Sequence, residues 1–331
     1  MKRRDFFAAA IGLASCGSFG ARAQLAQRMR RIGLLLPVEQ RDLESQLHVA
    51  AFRQQFQQLG WTEGRNAQLD VRWATDEASQ ISNFATELVS LQPDAILARS
   101  TPVTAAVLRA TSAIPIVFVN VADPVRAGFV ASMARPGGNA TGFTNVESTL
   151  GGKWVQVLKE LNPNITRLAV MFNPKTAPAG GAFYFQLVED AARFIGVASI
   201  ATPVENPAEI ERVIEAFAGE PNRAFVVQPD ITIHNHRKLI FSLMALHRLP
   251  AIYAYPNFAR EGGLAGYGID LADVYRRAAE YVDRILRGEK PSELSVQAPT
   301  KFELAINIRT ANALGLTIPP FLLARADEVI E

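Results

Sequence analysis

Along the chain, short runs that are apolar at nearly every position alternate with stretches whose apolar residues recur at helical spacing, and the two periods predict the elements. Arg31 to Pro37 reads as the first strand, and Leu47 to Leu59, with Leu47, Ala50, Ala51, Phe56 and Leu59 on one face, as a helix that stops at Gly60. Gln68 to Trp73 is the second strand, Ile81 to Leu91 a helix, and Ala95 to Arg99 the third strand. Ser100-Thr101-Pro102 follows it as a hydroxyl cap with proline at the first helical position. Ile116 to Val121 is a fourth strand, continuous enough in β-branched and aromatic residues to be covered on both faces. Arg135 to Gly142 is so rich in breakers that it reads as an irregular link outside any element.

After that link the pattern restarts. A helix is predicted at Lys153 to Leu161, and strands at Leu168 to Phe172, Val197 to Pro203, Ala224 to Gln228 and Ala251 to Tyr255. Helices over Gly181 to Phe194, Pro207 to Phe217 and Arg237 to Arg248 separate them, so strand starts recur roughly every 27 residues, the period of βα units. A second irregular link, Gly262 to Asp270, carries a short strand and leads into a long amphipathic helix, Leu271 to Arg287. Ser295 to Thr300 is a third crossing, followed by a strand at Lys301 to Ile308 and a helix at Thr310 to Leu314. Four strand-helix units on each side of the first link predict an α/β protein of two Rossmann-like lobes with parallel central sheets, joined by three crossovers around a cleft. The expected lobes are 28–143 with 257–295, and 144–256 with 296–331, with bending near Thr141, Pro256 and Ala298.

The first residues change how the composition is read. Lys2-Arg3-Arg4 before the apolar Ala8 to Ala14, and Ala21-Arg22-Ala23 before Gln24, have the form of an export signal over 1–23. The paired arginines fit a twin-arginine signal and are equally ordinary in a Sec signal. Leu13-Ala14-Ser15-Cys16 also resembles a lipoprotein box, in which Cys16 would be acylated; otherwise Cys16 is a small residue of a discarded peptide. Removing Lys2, Arg3, Arg4 and Arg22 from 34 basic residues and Asp5 from 32 acidic ones leaves 30 against 31, so the net charge falls from +2 to about −1. That removes the electrostatic support for a nucleic-acid or anionic-membrane partner. With its one cysteine gone or lipidated, a periplasmic chain would rely on its cores, without disulfides, cysteine nucleophiles or thiolate metal sites. No other stretch is long and apolar enough to span a bilayer.

In open parallel sheets ligands bind beyond the carboxyl ends of the strands. The residues there are Val38 and Glu39, Ser100 and Thr101, Asp123, Asn173 to Thr176, Asp230, and Tyr255 with Tyr253 before it; Tyr267 lies by the second link. The candidate ligand-binding set is Ser100, Thr101, Asp123, Asn173, Thr176, Asp230, Tyr253 and Tyr267. Hydroxyls at a helix N-terminus suit a carboxylate or phosphate oxygen. The two aspartates would accept from an ammonium or hydroxyl, and the tyrosines would stack on an apolar or ring portion. Each has a plainer alternative: Ser100 and Thr101 as helix caps, Asp123-Pro124 and Asn173-Pro174 as turns, Tyr253 as core. His234 and His236 lack a third ligand, and no phosphate loop, dinucleotide fingerprint or nucleophile elbow occurs, so no metal or cofactor is expected.

The run Gly60-Trp61-Thr62-Glu63-Gly64-Arg65-Asn66, Asp123-Pro124-Val125 with Ala134-Arg135-Pro136-Gly137-Gly138-Asn139-Ala140-Thr141-Gly142, and the tail from Pro299-Thr300-Lys301-Phe302-Glu303-Leu304 to Ala326-Asp327-Glu328-Val329-Ile330-Glu331 resemble the ABC-transporter substrate-binding family related to tryptophan- and tyrosine-type binding proteins. The resemblance implies a periplasmic-binding-protein type I fold and capture of a ligand, an amino acid or aromatic compound, by hinge closure. It further implies a monomer that delivers this ligand to an ABC permease served by a separate ATPase. Crevice positions carried over by the resemblance are Ser100, Thr101, Asp123, Asp230, Tyr253 and Tyr267. Gly266 stands where relatives often have serine, and Ala140 where a β-branched residue is usual. A sensory input protein docking on a membrane receptor or kinase is the alternative role; an enzyme using Asp123 and Asp230 as an acid-base pair is a third.

Overall fold

The computed structural model describes residues 28–219 and 221–331, so the expected export signal and Cys16 lie outside the described residues. The first lobe is built on a five-stranded parallel sheet ordered β2-β1-β3-β4-β5. These strands are β1 (Arg30–Leu36), β2 (Ala67–Trp73), β3 (Ala95–Arg99), β4 (Ile116–Val121) and β5 (Ala140–Thr144). Helices α1 (Leu43–Gln58), α2 (Ala78–Ser90) and α3 (Thr101–Ala110) connect the first four strands. Strands β3, β4 and β5 are buried at every position, which is why their sequences are nearly uninterrupted in apolar or small residues.

The chain then crosses into α4 (Leu150–Leu161) and a seven-stranded sheet ordered β12-β11-β10-β9-β8-β6-β7. Its members are β6 (Arg167–Phe172), β7 (Ala198–Pro203), β8 (Arg223–Val227), β9 (Ala251–Tyr253), β10 (Ala265–Ile269), β11 (Phe302–Asn307) and β12 (Glu328–Ile330). Pairing is parallel except between β10 and β11. The connecting helices are α5 (Ala182–Phe194), α6 (Pro207–Ala218), a short α7 (Ile231–Asn235), α8 (Arg237–Leu246) and α9 (Asn257–Arg260). After β10 the chain returns to the first lobe as α10 (Leu271–Leu286), capped by Asp270, whose side chain accepts from the Asp273 N–H. This helix packs along α1, with Tyr275 stacked on His48 at 5.5 Å between ring centres. Helices α11 (Ile308–Ala313) and α12 (Pro320–Arg325) complete the second lobe. Among the described residues no helix is long and apolar enough to cross a membrane.

Three features depart from the expectation. The breaker-rich run is not all link: its end, Ala140–Thr144, is β5, in register with β4 from Ile116 opposite Ala140. Gly142 belongs there because a Cβ at that position would lie 2.0 Å from the Phe118 carbonyl oxygen, on a backbone with φ +152°. Glycine here permits close pairing. By sheet membership the return to the first lobe falls at Asp270, not at 257, since β10 pairs with both β9 and β11. Finally, the sheets hold five and seven strands: β5 and β12 form where the sequence reads as link and tail, while the short strand expected within Gly262 to Asp270 and the one expected at Lys301 to Ile308 join the second sheet as β10 and β11.

The first and third crossings run side by side. Thr144 N–H donates to Gln297 O and Gln297 N–H to Gly142 O, both at 2.9 Å, while Thr141 Oγ1 donates to Leu294 O at 2.6 Å. Gly142→Ala is therefore expected to destabilise the protein by ~2–4 kcal/mol, from overpacking and backbone strain together. Gly138→Ala, where a Cβ meets nothing within 4 Å, should be nearly neutral. Urea denaturation of both variants checks this; equal midpoints would remove the close-pairing role.

Candidate functional site

The carboxyl ends of the two sheets face each other across a narrow cavity lined by residues of both lobes. From the first lobe, β1 contributes Val38 just past its end, β3 ends in Arg99 and Ser100, and β4 supplies Asn120. From the second, Thr176 follows β6, Tyr184 reaches in from α5, Asp230 and His234 follow β8, and Tyr255 follows β9.

Two of these residues sit on backbone that L side chains rarely adopt: Ser100 has φ +84° and Asn120 φ +60°. The pairing of β4 with β5 slips between Phe118 and Val121, a bulge-like irregularity that re-aims Asn120. Its Nδ2 donates to the Tyr255 hydroxyl at 3.0 Å, a direct bond between the lobes. Its Oδ1 accepts from Asn145 Nδ2 at 2.8 Å, and Asn145 Oδ1 accepts from the Tyr184 hydroxyl at 2.9 Å. A chain of four side chains thus joins β4, the first crossing, and both α5 and the end of β9 in the second lobe.

A second bond across the gap is ionic. Asp42, the N-cap of α1, accepts from Arg237 Nη2 of α8 at 2.5 Å, and Arg237 Nε also reaches Glu261 at 2.8 Å. His234 Nε2 lies 3.6 Å from Asp42, too long for a hydrogen bond. Burial opposes ionisation of Asp42, but His234 and Arg237 together more than offset it, holding the carboxyl well below its usual range. His234 and His48 are both buried and pushed down, to about 4 and about 3, by desolvation with Arg99 nearby, so both are neutral near pH 7.

Asp230 is the N-cap of α7. Its Oδ1 accepts from the Thr232 and Ile233 N–H groups at 2.9 and 3.1 Å and its Oδ2 from Thr176 Oγ1 at 2.6 Å. Burial nevertheless pushes its carboxyl up to about 6, because these donors do not fully replace water around the charged form.

Of the eight residues expected from sequence, Ser100, Thr101, Thr176 and Asp230 line the cavity. Asn173 sits behind it, donating to Thr232 Oγ1 and accepting from the Lys175 N–H. Asp123 is not part of the wall: its Oδ1 accepts from the Arg126 N–H, as its turn-forming alternative predicts. Tyr253 is 1% exposed in the second-lobe core between Phe241 and Phe258, and Tyr267 stacks on Phe302 in the outer part of the second sheet. Ser100 occupies the cap position of α3 without using its side chain as a cap, and Pro102 is the second helical residue, not the first. Arg99, Asn120, Asn145, Tyr184 and His234 were not among the expected residues. A charge closing the apolar run Ala-Ile-Leu-Ala-Arg and an amide inside Ile-Val-Phe-Val-Asn-Val were the available signals for the first two.

A family model described as ABC transporter substrate binding protein matches residues 31–330. A curated tyrosine-binding protein from Clostridioides difficile (strain R20291) is 25% identical over 291 residues, covering 88% of this chain and 82% of the relative. Among solved structures, a conserved domain protein from Vibrio cholerae superposes with a TM-score of 0.84 at 27% identity, over 91% of this chain and 100% of that one. A Streptococcus pneumoniae ABC domain in complex with L-Trp gives a TM-score of 0.84 at 22% identity, again over 91% and 100%.

The Asp230 environment fixes the sign of a pH effect. A carboxyl raised from 3.8 to about 6 contributes stability that is complete below pH 3.8 and lost as pH rises through 6. Asp230→Asn cannot titrate, so its stability relative to the natural protein should rise by roughly 2–3 kcal/mol between pH 4 and pH 7. Denaturant titrations of the two proteins at several pH values measure it, and a difference that stays flat with pH would contradict the desolvated state assigned to Asp230.

Proposed function

Because the chain belongs to the ABC transporter substrate binding protein family, we propose that it is the periplasmic, monomeric solute-binding component of an importer. It captures a small amphipathic ligand between its lobes and delivers it to a membrane permease driven by a separate ATPase. It performs no chemistry on that ligand. Members of such a family act outside the cytoplasm, and the relatives include a tyrosine-binding protein and a domain complexed with L-Trp. These relatives support an amino acid or aromatic compound as the ligand here.

The observation that carries the reading is the polar wall at the strand ends of both lobes, closed by the Asn120 to Tyr255 hydrogen bond across the cavity. A ligand contacting Ser100 and Thr101 on one side and Thr176, Asp230 and Tyr255 on the other gains all its contacts only when the lobes approach. Differential affinity for the closed form is what couples binding to closure. The Asp42 to Arg237 pair adds a ligand-independent attraction between the lobes, so closure is favoured before capture and completed by it. The side-by-side crossings at Gly142 to Thr144 and Leu294 to Gln297 form a narrow, hydrogen-bonded strap suited to absorb the bend.

Saturating ligand should raise the melting temperature by several degrees, as a stabilisation of about 2.7 kcal/mol at one hundred times Kd requires. It should also shrink the radius of gyration seen by solution scattering. Tyr255→Phe leaves Asn120 without its partner across the cavity and is expected to weaken binding about 10-fold with little loss of fold stability. A screen of amino acids, small aromatics, sugars and organic acids by thermal shift supplies the ligand. If a bound ligand left the radius unchanged, closure would be excluded.

A further inference from the structure

The four side chains that join the lobes have a direction, and it is set at their buried end. Tyr184 is fully buried, and its hydroxyl has one hydrogen-bond partner among the described residues, Asn145 Oδ1 at 2.9 Å. A buried hydrogen left without an acceptor costs more than a lone pair left unused, so this hydroxyl donates. The Asn145 amide is thereby held with Oδ1 toward Tyr184 and with Nδ2 donating to Asn120 Oδ1 at 2.8 Å. Asn120 is held in turn, its Nδ2 donating to the Tyr255 oxygen at 3.0 Å. Each side chain accepts from the one before it and donates to the next.

The series ends at Tyr255, which lines the cavity from the second lobe. Its own hydrogen has one acceptor among the described residues, Asn120 Oδ1 at 3.4 Å, a long contact to an oxygen that already accepts from Asn145. The Tyr255 hydroxyl therefore faces the cavity as a donor. An asparagine amide turns over easily, because its last torsion is broad and roughly two-fold. Without a donor at Oδ1, Asn120 could reverse, accept from Tyr255 and leave only the lone pairs of that hydroxyl for the cavity. Asn145 prevents the reversal. It is 7% exposed, directly follows β5 on the first crossing, and is anchored beside Asn120 by its backbone N–H, which donates to Val121 O at the end of β4 at 3.2 Å.

We propose that Asn145 is a positioning residue for capture: acting through Asn120, it presents the Tyr255 hydroxyl as a hydrogen-bond donor to an acceptor oxygen of the ligand. This rests on the capture reading above and adds to it the residue that sets the polarity of a second-lobe contact.

Asn145→Asp reverses that polarity while every group stays paired. The introduced carboxylate accepts from Tyr184 and, once the Asn120 amide has turned over, from Asn120 Nδ2; Asn120 Oδ1 then accepts from Tyr255. Calorimetry on the full chain reads the effect with L-tryptophan, L-tyrosine, 3-phenylpropionate and the compounds that the thermal-shift screen retains. For the tightest-binding of these, Asn145→Asp is expected to weaken binding ~10-fold, as Tyr255→Phe does, and to cost nothing further in a Tyr255→Phe background. A merely structural role, or repulsion between the introduced charge and the probe, would persist in that background and the losses would multiply. Multiplied losses, or an Asn145→Asp protein that binds as tightly as the natural one, would overturn the positioning role and leave capture intact. If Asn145→Asp does not fold, Tyr184→Phe, which frees the buried end of the series, takes its place in the same cycle, with a several-fold loss expected that is again absent from the Tyr255→Phe background. Absence of binding by every compound would overturn the capture reading and this assignment together.

Discussion

Everything in this protein depends on two sheets meeting at the carboxyl ends of their strands, where the backbone stops pairing and side chains must satisfy the polar groups. Inside each lobe that demand is met by sheet hydrogen bonds and by apolar burial. At the meeting point it is met across the gap. Asn120 bonds Tyr255, Asn145 bonds Asn120, and Asp42 bonds Arg237, so the lobes are joined by groups that would otherwise be unpaired or open to water. The cost of leaving buried polar groups unsatisfied is what gives such bonds their weight. Most of the wall is paired in this way; Ser100 Oγ and both ring nitrogens of His234 are buried there without a hydrogen-bond partner.

The strain in the site has the same origin. Ser100 and Asn120 both take positive φ at the end of a fully buried strand, a conformation that neither residue adopts without compensation. In each case the backbone turn directs a polar group away from the apolar layers and into the cavity. The strands on either side are short and buried at every position, so the sheets hold these tips in place. Gly142 lets β5 lie against β4 at the first crossing, with no room for a side chain.

Electrostatics separates the two walls. The second lobe presents Asp230, whose charge is opposed by burial and already met by three donors. The first lobe presents Arg99, facing two neutral histidines.

The alternation of buried strands and helices was legible in the residues, because strands covered on both faces have to be apolar throughout and helices lying over them have to be apolar on one side. Two α/β lobes, joined by more than one crossing and with a cavity at the strand ends, followed from that periodicity. So did Ser100, Thr101, Thr176 and Asp230, which sit where a strand stops. What the sequence could not carry were facts about distant pairs. Whether Tyr253 or Tyr255 faces the cleft depends on how far β9 runs before the chain turns. Whether Ala140 to Thr144 is link or strand depends on the Phe118 carbonyl lying against Gly142. The partners of Asn120 and Asp42 are 135 and 195 residues away. Local pattern fixes which face of an element is apolar; only the packed structure decides which polar residue finds a partner, and which is left for something else to fill.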